Sequence, residues 1–203
     1  MRLSKYITEA TGNGITFIDL DETIFSTFIK IRVIKDKKVV KTLTNVEFRS
    51  YKKKEGEEYD FGDYSSSKLF KETSVPIHKT IKRMKNMISK IKKSSKDSRI
   101  IILTARTFFD DKELFYSTFK DYGLDLRKDN IKVERNKEGS GNVKKMKSEV
   151  IRKYLKSGKY KRVRVIDDSI KNIKAFLELE KEFDGIQFFG LLVKENGTLK
   201  RIK

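Results

Sequence analysis

Three short apolar runs, each halted by a polar residue, constrain this chain more than any other feature. Ile15-Thr16-Phe17-Ile18 stops at Asp19, Ile100-Ile101-Ile102-Leu103 stops at Thr104, and Val163-Arg164-Val165-Ile166 stops at Asp167-Asp168. Continuous β-branched runs of this length read as strands buried on both faces, as in a parallel sheet. Asn130 to Glu134 and Gly185 to Val193 are two further strand candidates. Helical patterns lie between them. Ile77, Ile81, Met84, Ile88 and Ile91 share one helical face, with Ser74 as the expected cap and Pro76 in the first turn. A second helix is expected from Asp110-Asp111 to Gly123, a third over Val143 to Leu155, and a fourth after Ser169. Strands alternating with helices predict an α/β sandwich.

Residues 25–72 break that alternation. Ile31 to Thr44 reads as a β-hairpin turning near Asp36-Lys37, followed by a polar stretch rich in Tyr and Phe. Nearly fifty residues far exceed an ordinary connection of about two to six. The expected organisation is a leader at 1–13, a core of 14–24 and 73–203, and a small β-rich cap or flap inserted at 25–72.

Composition removes several function classes. The 203 residues contain no Cys, which excludes disulfides, Cys-ligated metals and thiol nucleophiles, and a single His, which disfavours His-based metal sites and Ser-His-Asp catalysis. No apolar run approaches the ~20 residues of a membrane span, and Met1 to Ala10 lacks a signal-peptide core. The expectation is a soluble, cytoplasmic protein with no membrane partner. Against 29 acids stand 48 Lys and Arg, a formal charge of +19. Such a surplus suits phosphate-rich partners; a lysine-rich genome would produce it equally, and both readings stay open.

If the three runs are parallel neighbours, Asp19, Asp21, Thr104, Asp167 and Asp168 converge beyond the carboxyl ends of the strands, where α/β sheets bind ligands. Four carboxylates in one cleft repel one another and require a cation. An all-oxygen donor set suits Mg²⁺. Asp19-Leu20-Asp21-Glu22-Thr23 also opens like a calcium loop. That reading needs Gly at the sixth position and Glu at the twelfth, where this chain has Ile24 and Lys30, so it fails.

An apolar strand with Asp-x-Asp-x-Thr, an apolar strand with Thr, a helical Lys and an apolar strand with Asp-Asp, in that order, resembles the haloacid dehalogenase superfamily of phosphotransferases. The resemblance spans residues 15 to about 180. It implies a Rossmann-like core and a cap inserted after the first motif. It further implies Asp19 as nucleophile, Asp21 as general acid and base, and Thr104 holding a phosphoryl oxygen. Asp19, Asp167, Asp168 and the backbone carbonyl of Asp21 would hold Mg²⁺. Lys147 best matches the motif lysine, with Lys144 second and Lys145 also competing. Thr23 and Lys144 are expected on the substrate-binding side.

Glu22 stands where many members carry Gly; Asp-Leu-Asp-Glu-Thr is a variant found in phosphatases of the RNA polymerase tail. Thr104-Ala105-Arg106 is more similar to the phosphatase half of polynucleotide kinase-phosphatases and related phage proteins. Arg106 either contacts substrate phosphate bidentately or forms a salt bridge with the acidic cluster, and both readings stay open. Between Lys144 and Arg164, ten of 21 positions are basic and one is acidic, and the helix at 79–93 adds seven more basic residues. With the aromatic residues of the insertion, this favours a nucleic-acid or nucleotide substrate. The expected activity is a Mg²⁺-dependent phosphomonoester hydrolase acting on polynucleotide 3′-phosphate ends. Alternatives are a 5′(3′)-nucleotidase, a phosphoprotein phosphatase, and a nucleic-acid-binding or virion protein. The Leu3-Ser4-Lys5-Tyr6-Ile7 leader is similar to those of large tailed-phage proteins, which implies a phage-encoded protein in a host cytoplasm.

Overall fold

Strand β1 (Gly14–Ile18) lies between β7 (Arg99–Leu103) and β9 (Arg162–Asp167), parallel to both. A computed structural model describes residues 12–94, 97–136 and 143–203; the expected leader lies almost wholly outside the described residues. Beyond β7 comes β8 (Lys132–Glu134), and beyond β9 come β10 (Gln187–Val193) and β11 (Leu199–Arg201). The sheet order is therefore β11-β10-β9-β1-β7-β8, parallel except for β11. The fold is α/β. From β1 the chain steps outward through β7 and β8, then returns to the opposite side of β1 as β9. The order reverses between β1 and β9, which opens a crevice at their carboxyl ends.

Both faces of this sheet are covered, which is why its central strands are continuously apolar. Ile18, Ile100, Ile102 and Ile166 pack with α3 (His78–Ser94) and α4 (Lys112–Asp121). Phe17, Ile101, Leu103, Val163 and Val165 pack on the other face with α5 (Val143–Leu155) and α6 (Ile170–Glu178). Alternate residues of one strand serve opposite layers, as the two-residue strand period requires. Ser169 caps α6 by accepting from the Asn172 N–H, and Asp111 caps α4 by accepting from the Leu114 N–H.

The insertion carries its own small sheet. β3 (Ile31–Lys35) and β4 (Lys38–Leu43) form the expected hairpin, joined by Asp36 and Lys37, both at positive φ (48° and 62°). That pair of left-handed residues is the signature of a tight two-residue hairpin turn. β5 (Glu58–Asp60) adds to β3, and Ile31, Val33 and Leu43 form a separate core beneath Phe48, Tyr51 and Tyr59. Two helices that sequence patterning missed also lie here, α1 (Asn45–Ser50) and α2 (Ser67–Thr73). At six and seven residues, each is too short to display a helical period. Phe70 of α2 and Phe25 bury in the main core, in edge-to-face contact with a centroid distance of 5.3 Å.

The expected start of α3 requires correction. Ser74 does not cap that helix. Its N–H bonds to the Phe70 carbonyl and ends α2, and Val75-Pro76 then form β6, paired antiparallel with β2 (Phe25–Ser26). A residue before proline is driven to extended geometry, and proline suits the edge of a two-stranded ribbon. This ribbon brings both ends of the insertion together beside the crevice. Among the described residues, no helix is long and apolar enough to cross a membrane.

Candidate active site

Asp19 follows the last residue of β1, and its N–H bonds to the Ile166 carbonyl of β9 (2.9 Å), so β1 and β9 end at the same level. Asp167, the last residue of β9, is buried. Its carboxylate accepts from the Ser169 N–H at 2.8 Å and from the Asn172 side-chain amide at 3.1 Å to each oxygen. Lys147, on the inward face of α5, reaches between the two strands. It donates to Asp19 Oδ1 at 2.7 Å and to Asp167 Oδ2 at 2.8 Å. It is 6% exposed, so the ammonium has been removed from water for the sake of these two carboxylates.

Asp19, Asp167 and Asp168 present carboxylate oxygens within 4.8 Å of one another. Burial pushes the Asp19 carboxyl well above the usual carboxylate range; Lys147 opposes this, and the charges of Asp167 and Asp168 reinforce it. Burial also works against the Lys147 charge, but Asp167 and Asp19 outweigh it and hold the ammonium above its ordinary value. Among the described residues, Lys147 is the cation bonded to Asp19 and Asp167. The three carboxylates could together hold a metal ion, and a donor set made only of oxygen suits a hard cation. Phe17, Asp19, Lys144, Lys147, Asp167 and Asn172 line a shallow cleft here.

No protein-family model, curated protein or solved structure matches the chain. The site is therefore read from its own chemistry.

Asp21 is held apart from the three-carboxylate group. Arg106, two residues beyond Thr104, grips it bidentately, Nε to Oδ2 at 3.0 Å and Nη2 to Oδ1 at 2.7 Å. Arg106 is thus in the ion pair that was one of its two expected roles, and at 3% exposure it is buried there. Its guanidinium lies over the Phe70 ring (4.7 Å to the centroid), and Nη1 donates to the Tyr64 carbonyl at 2.8 Å. Thr27 Oγ1 adds a further bond to Asp21 Oδ1 at 3.0 Å.

The turn after Asp19 explains Glu22. Its φ of 58° is left-handed, a region that favours glycine. Glu22 is kept there by its own side chain, whose Oε1 accepts from the Thr27 N–H (3.1 Å) and from Asn45 Nδ2 (2.9 Å). The Tyr64 hydroxyl in turn donates to Asn45 Oδ1. Burial, then the Asp21 charge, raises the Tyr64 hydroxyl above its ordinary value, so it remains a donor. Asn45 and Tyr64 tie the insertion to the Asp19–Phe25 turn.

The remaining expected residues fall into three positions. Lys144 is exposed and lines the cleft one helical turn before Lys147. Lys145 is exposed on α5, and it is Lys147 that makes both carboxylate contacts. Thr104 is fully buried at the end of β7, its hydroxyl accepting from the Arg106 N–H at 3.2 Å. Thr23 is also fully buried, with a hydroxyl that meets no hydrogen-bond partner; it packs under the turn and does not reach the cleft surface. Sequence reasoning missed Asn172, Thr27, Asn45 and Tyr64. Asn172 had a local signal, three residues after the α6 cap and so in the first turn beside Asp167. The other three lie in the insertion and had none.

Proposed function

We propose that this protein is a Mg²⁺-dependent phosphomonoester hydrolase of the haloacid dehalogenase type, acting on polynucleotide 3′-phosphate ends. The observation that carries the reading is Lys147 bridging Asp19 and Asp167 at the order reversal of a parallel sheet, with Asp21 clamped separately two residues on. Asp19 is the nucleophile: a carboxylate oxygen attacks phosphorus in line, the bond from phosphorus to the ester oxygen breaks, and an aspartyl phosphate forms. Asp21 gives a proton to the departing oxygen. It then takes one from the water that cleaves the acyl phosphate and restores Asp19. Arg106 occupies one lone pair on each Asp21 oxygen and Thr27 Oγ1 a second on Oδ1, which leaves Oδ2 with the open position for that proton. Lys147 holds Asp19 in place and offsets charge on the phosphoryl oxygens. Asp19, Asp167, Asp168 and the Asp21 carbonyl would hold Mg²⁺, which when bound neutralises phosphoryl charge.

The choice of polynucleotide is supported by the charge of +19 and by an insertion whose two ends meet beside the site. A panel of a 3′-phosphorylated oligonucleotide, its 5′-phosphorylated twin, nucleoside monophosphates, a phosphopeptide and p-nitrophenyl phosphate tests it. The 3′-phosphorylated oligonucleotide is expected to have the highest kcat/KM. Asp19→Asn or EDTA abolishes turnover of every substrate, and Asp21→Asn lowers kcat by on the order of 10²–10⁴. Activity surviving both Asp19→Asn and EDTA rejects the mechanism; preference for a mononucleotide rejects the substrate.

A further inference from the structure

Away from the carboxylates, the α3-covered face of the sheet holds cations that the proposed chemistry does not use. Arg162 and Arg164 stand two apart on β9 and so share a face. Ile166, next in the same alternation, belongs to the core layer of Ile81, Met84 and Ile88 on α3. Arg164 is partly buried, and its contacts are neutral: Nη1 lies 3.5 Å from Thr16 Oγ1 and 3.8 Å from Met87 Sδ. Four residues before Met87, and so on the same side of α3, Arg83 donates to the Gly197 carbonyl at 2.6 Å. Among the described residues, no carboxylate pairs with Arg83 or Arg164. Burial lowers both guanidinium groups from their ordinary value, and the charge of Arg162 adds to this at Arg164.

An aromatic ring completes the strip. Phe189 of β10 is the register partner of Arg164, is half-buried, and lies under the Arg201 guanidinium at 5.3 Å. The strip follows α3 from the β10–β11 turn, at the catalytic end of the sheet, to Arg162 at the start of β9. Arg83 and Arg164, drawn partly out of water and without a carboxylate, oppose folding. An external anion supplies what the fold leaves out. A row of cations with one ring matches a single-stranded polynucleotide, which offers repeated phosphates and an unpaired base. Duplex offers no free base face.

We propose that the strip formed by Arg83, Arg162, Arg164, Phe189 and Arg201 binds the phosphodiester backbone of a single-stranded nucleic acid, with one base stacked at Phe189. This site is separate from the carboxylate cluster and does not depend on catalysis. The probe is a fluorescein-labelled dodecathymidylate without terminal phosphates, titrated with the full chain in EDTA and followed by anisotropy between about 50 and 200 mM salt, a range over which log affinity falls linearly with log salt. Arg164→Met and Arg83→Met are each expected to weaken binding about tenfold and to flatten the log–log salt slope by about 0.7 for each phosphate no longer neutralised. Phe189→Leu is expected to weaken binding with no change of slope. Both arginine variants should melt no lower than the parent protein, because each removes a cation without a carboxylate. Unchanged affinity and slope in either folded variant overturns the proposal, as does equal weakening for duplex and single strand. Failure of the phosphatase panel, by contrast, leaves this binding site standing.

Discussion

At the scale of single residues, Lys147 carries the most consequence. Among the described residues it is the one side-chain cation bonded to both Asp19 and Asp167, and burial penalises its charge and that of Asp19. Lys147→Met leaves two carboxylates facing Asp168 without compensation. Breaking a buried pair in this way costs roughly 3–5 kcal/mol, which urea unfolding will read directly. Millimolar Mg²⁺ should recover a large part of that deficit in the variant, and should add less to the parent protein, whose lysine already offsets the cluster. A variant as stable as the parent without Mg²⁺ contradicts the role of Lys147 in offsetting Asp19 and Asp167. Arg106 was legible as a residue of interest, but its partner was not. Whether it faced a ligand or Asp21 depended on where residues 64–70 fold, and Tyr64 and Phe70 seat the guanidinium against Asp21.

At the scale of elements, local pattern and packing agree wherever a segment is long enough to show its period. The limits of α5 match Val143 to Leu155 as expected, and the Asp36-Lys37 turn lies where the hairpin was expected to fold back. Short elements escape detection, because six or seven residues of helix and two-residue strands express no period. Ser74 and Pro76 were misread for a related reason: a cap-like Ser and a Pro satisfy a helix start or a ribbon edge equally, and the pairing of β6 with β2 decides between them. The seating of α6 on β10 offers a direct test of packing. Gly190 has ordinary backbone geometry, yet a Cβ there would lie 2.6 Å from Ile173 Cγ2 and 3.3 Å from Leu177 Cδ1. Gly190→Ala is expected to destabilise by about 1–3 kcal/mol, the range for overpacked cores. A melting temperature equal to the parent's would mean that α6 stands further from the sheet than described. Because α6 begins at the residues that hold Asp167, the same variant should also weaken the response of stability to Mg²⁺.

At the scale of the whole molecule, charge is the organising question. The basic residues of α3 and those of α5 do not form one surface, since the two helices cover opposite faces of the sheet. Their effects should therefore separate. Lys153, Lys156 and Lys159 are exposed, at the end of α5 and in the turn after it. Reversing all three to Glu lowers the net charge by six and should slow oligonucleotide association at low salt, an effect screened within about 10 Å at 0.1 M. The salt slope of equilibrium binding should change little, because these lysines lie on the face away from the Arg164 strip. A slope that falls by as much as in Arg164→Met would move the binding surface to α5.

The sequence by itself determined the parallel sheet, the order of its three central strands along the chain, and the convergence of Asp19, Thr104 and Asp167 at one edge. Strands buried on both faces must be apolar throughout, and ligand-facing residues must follow where they end. The family resemblance put Lys147 ahead of Lys144 and Lys145, and the structure places it on the inward face of α5 with Met146 and Ile151. Tertiary structure alone decided that Arg106 clamps Asp21, that Glu22 is held in a left-handed turn by Asn45, that Thr23 is buried, and that Arg164 lies beside Phe189. Each of those depends on a contact between residues distant in the chain or on different strands. Such contacts leave no periodic trace in the segments that make them, and they exist only once the insertion and the sheet have been brought together.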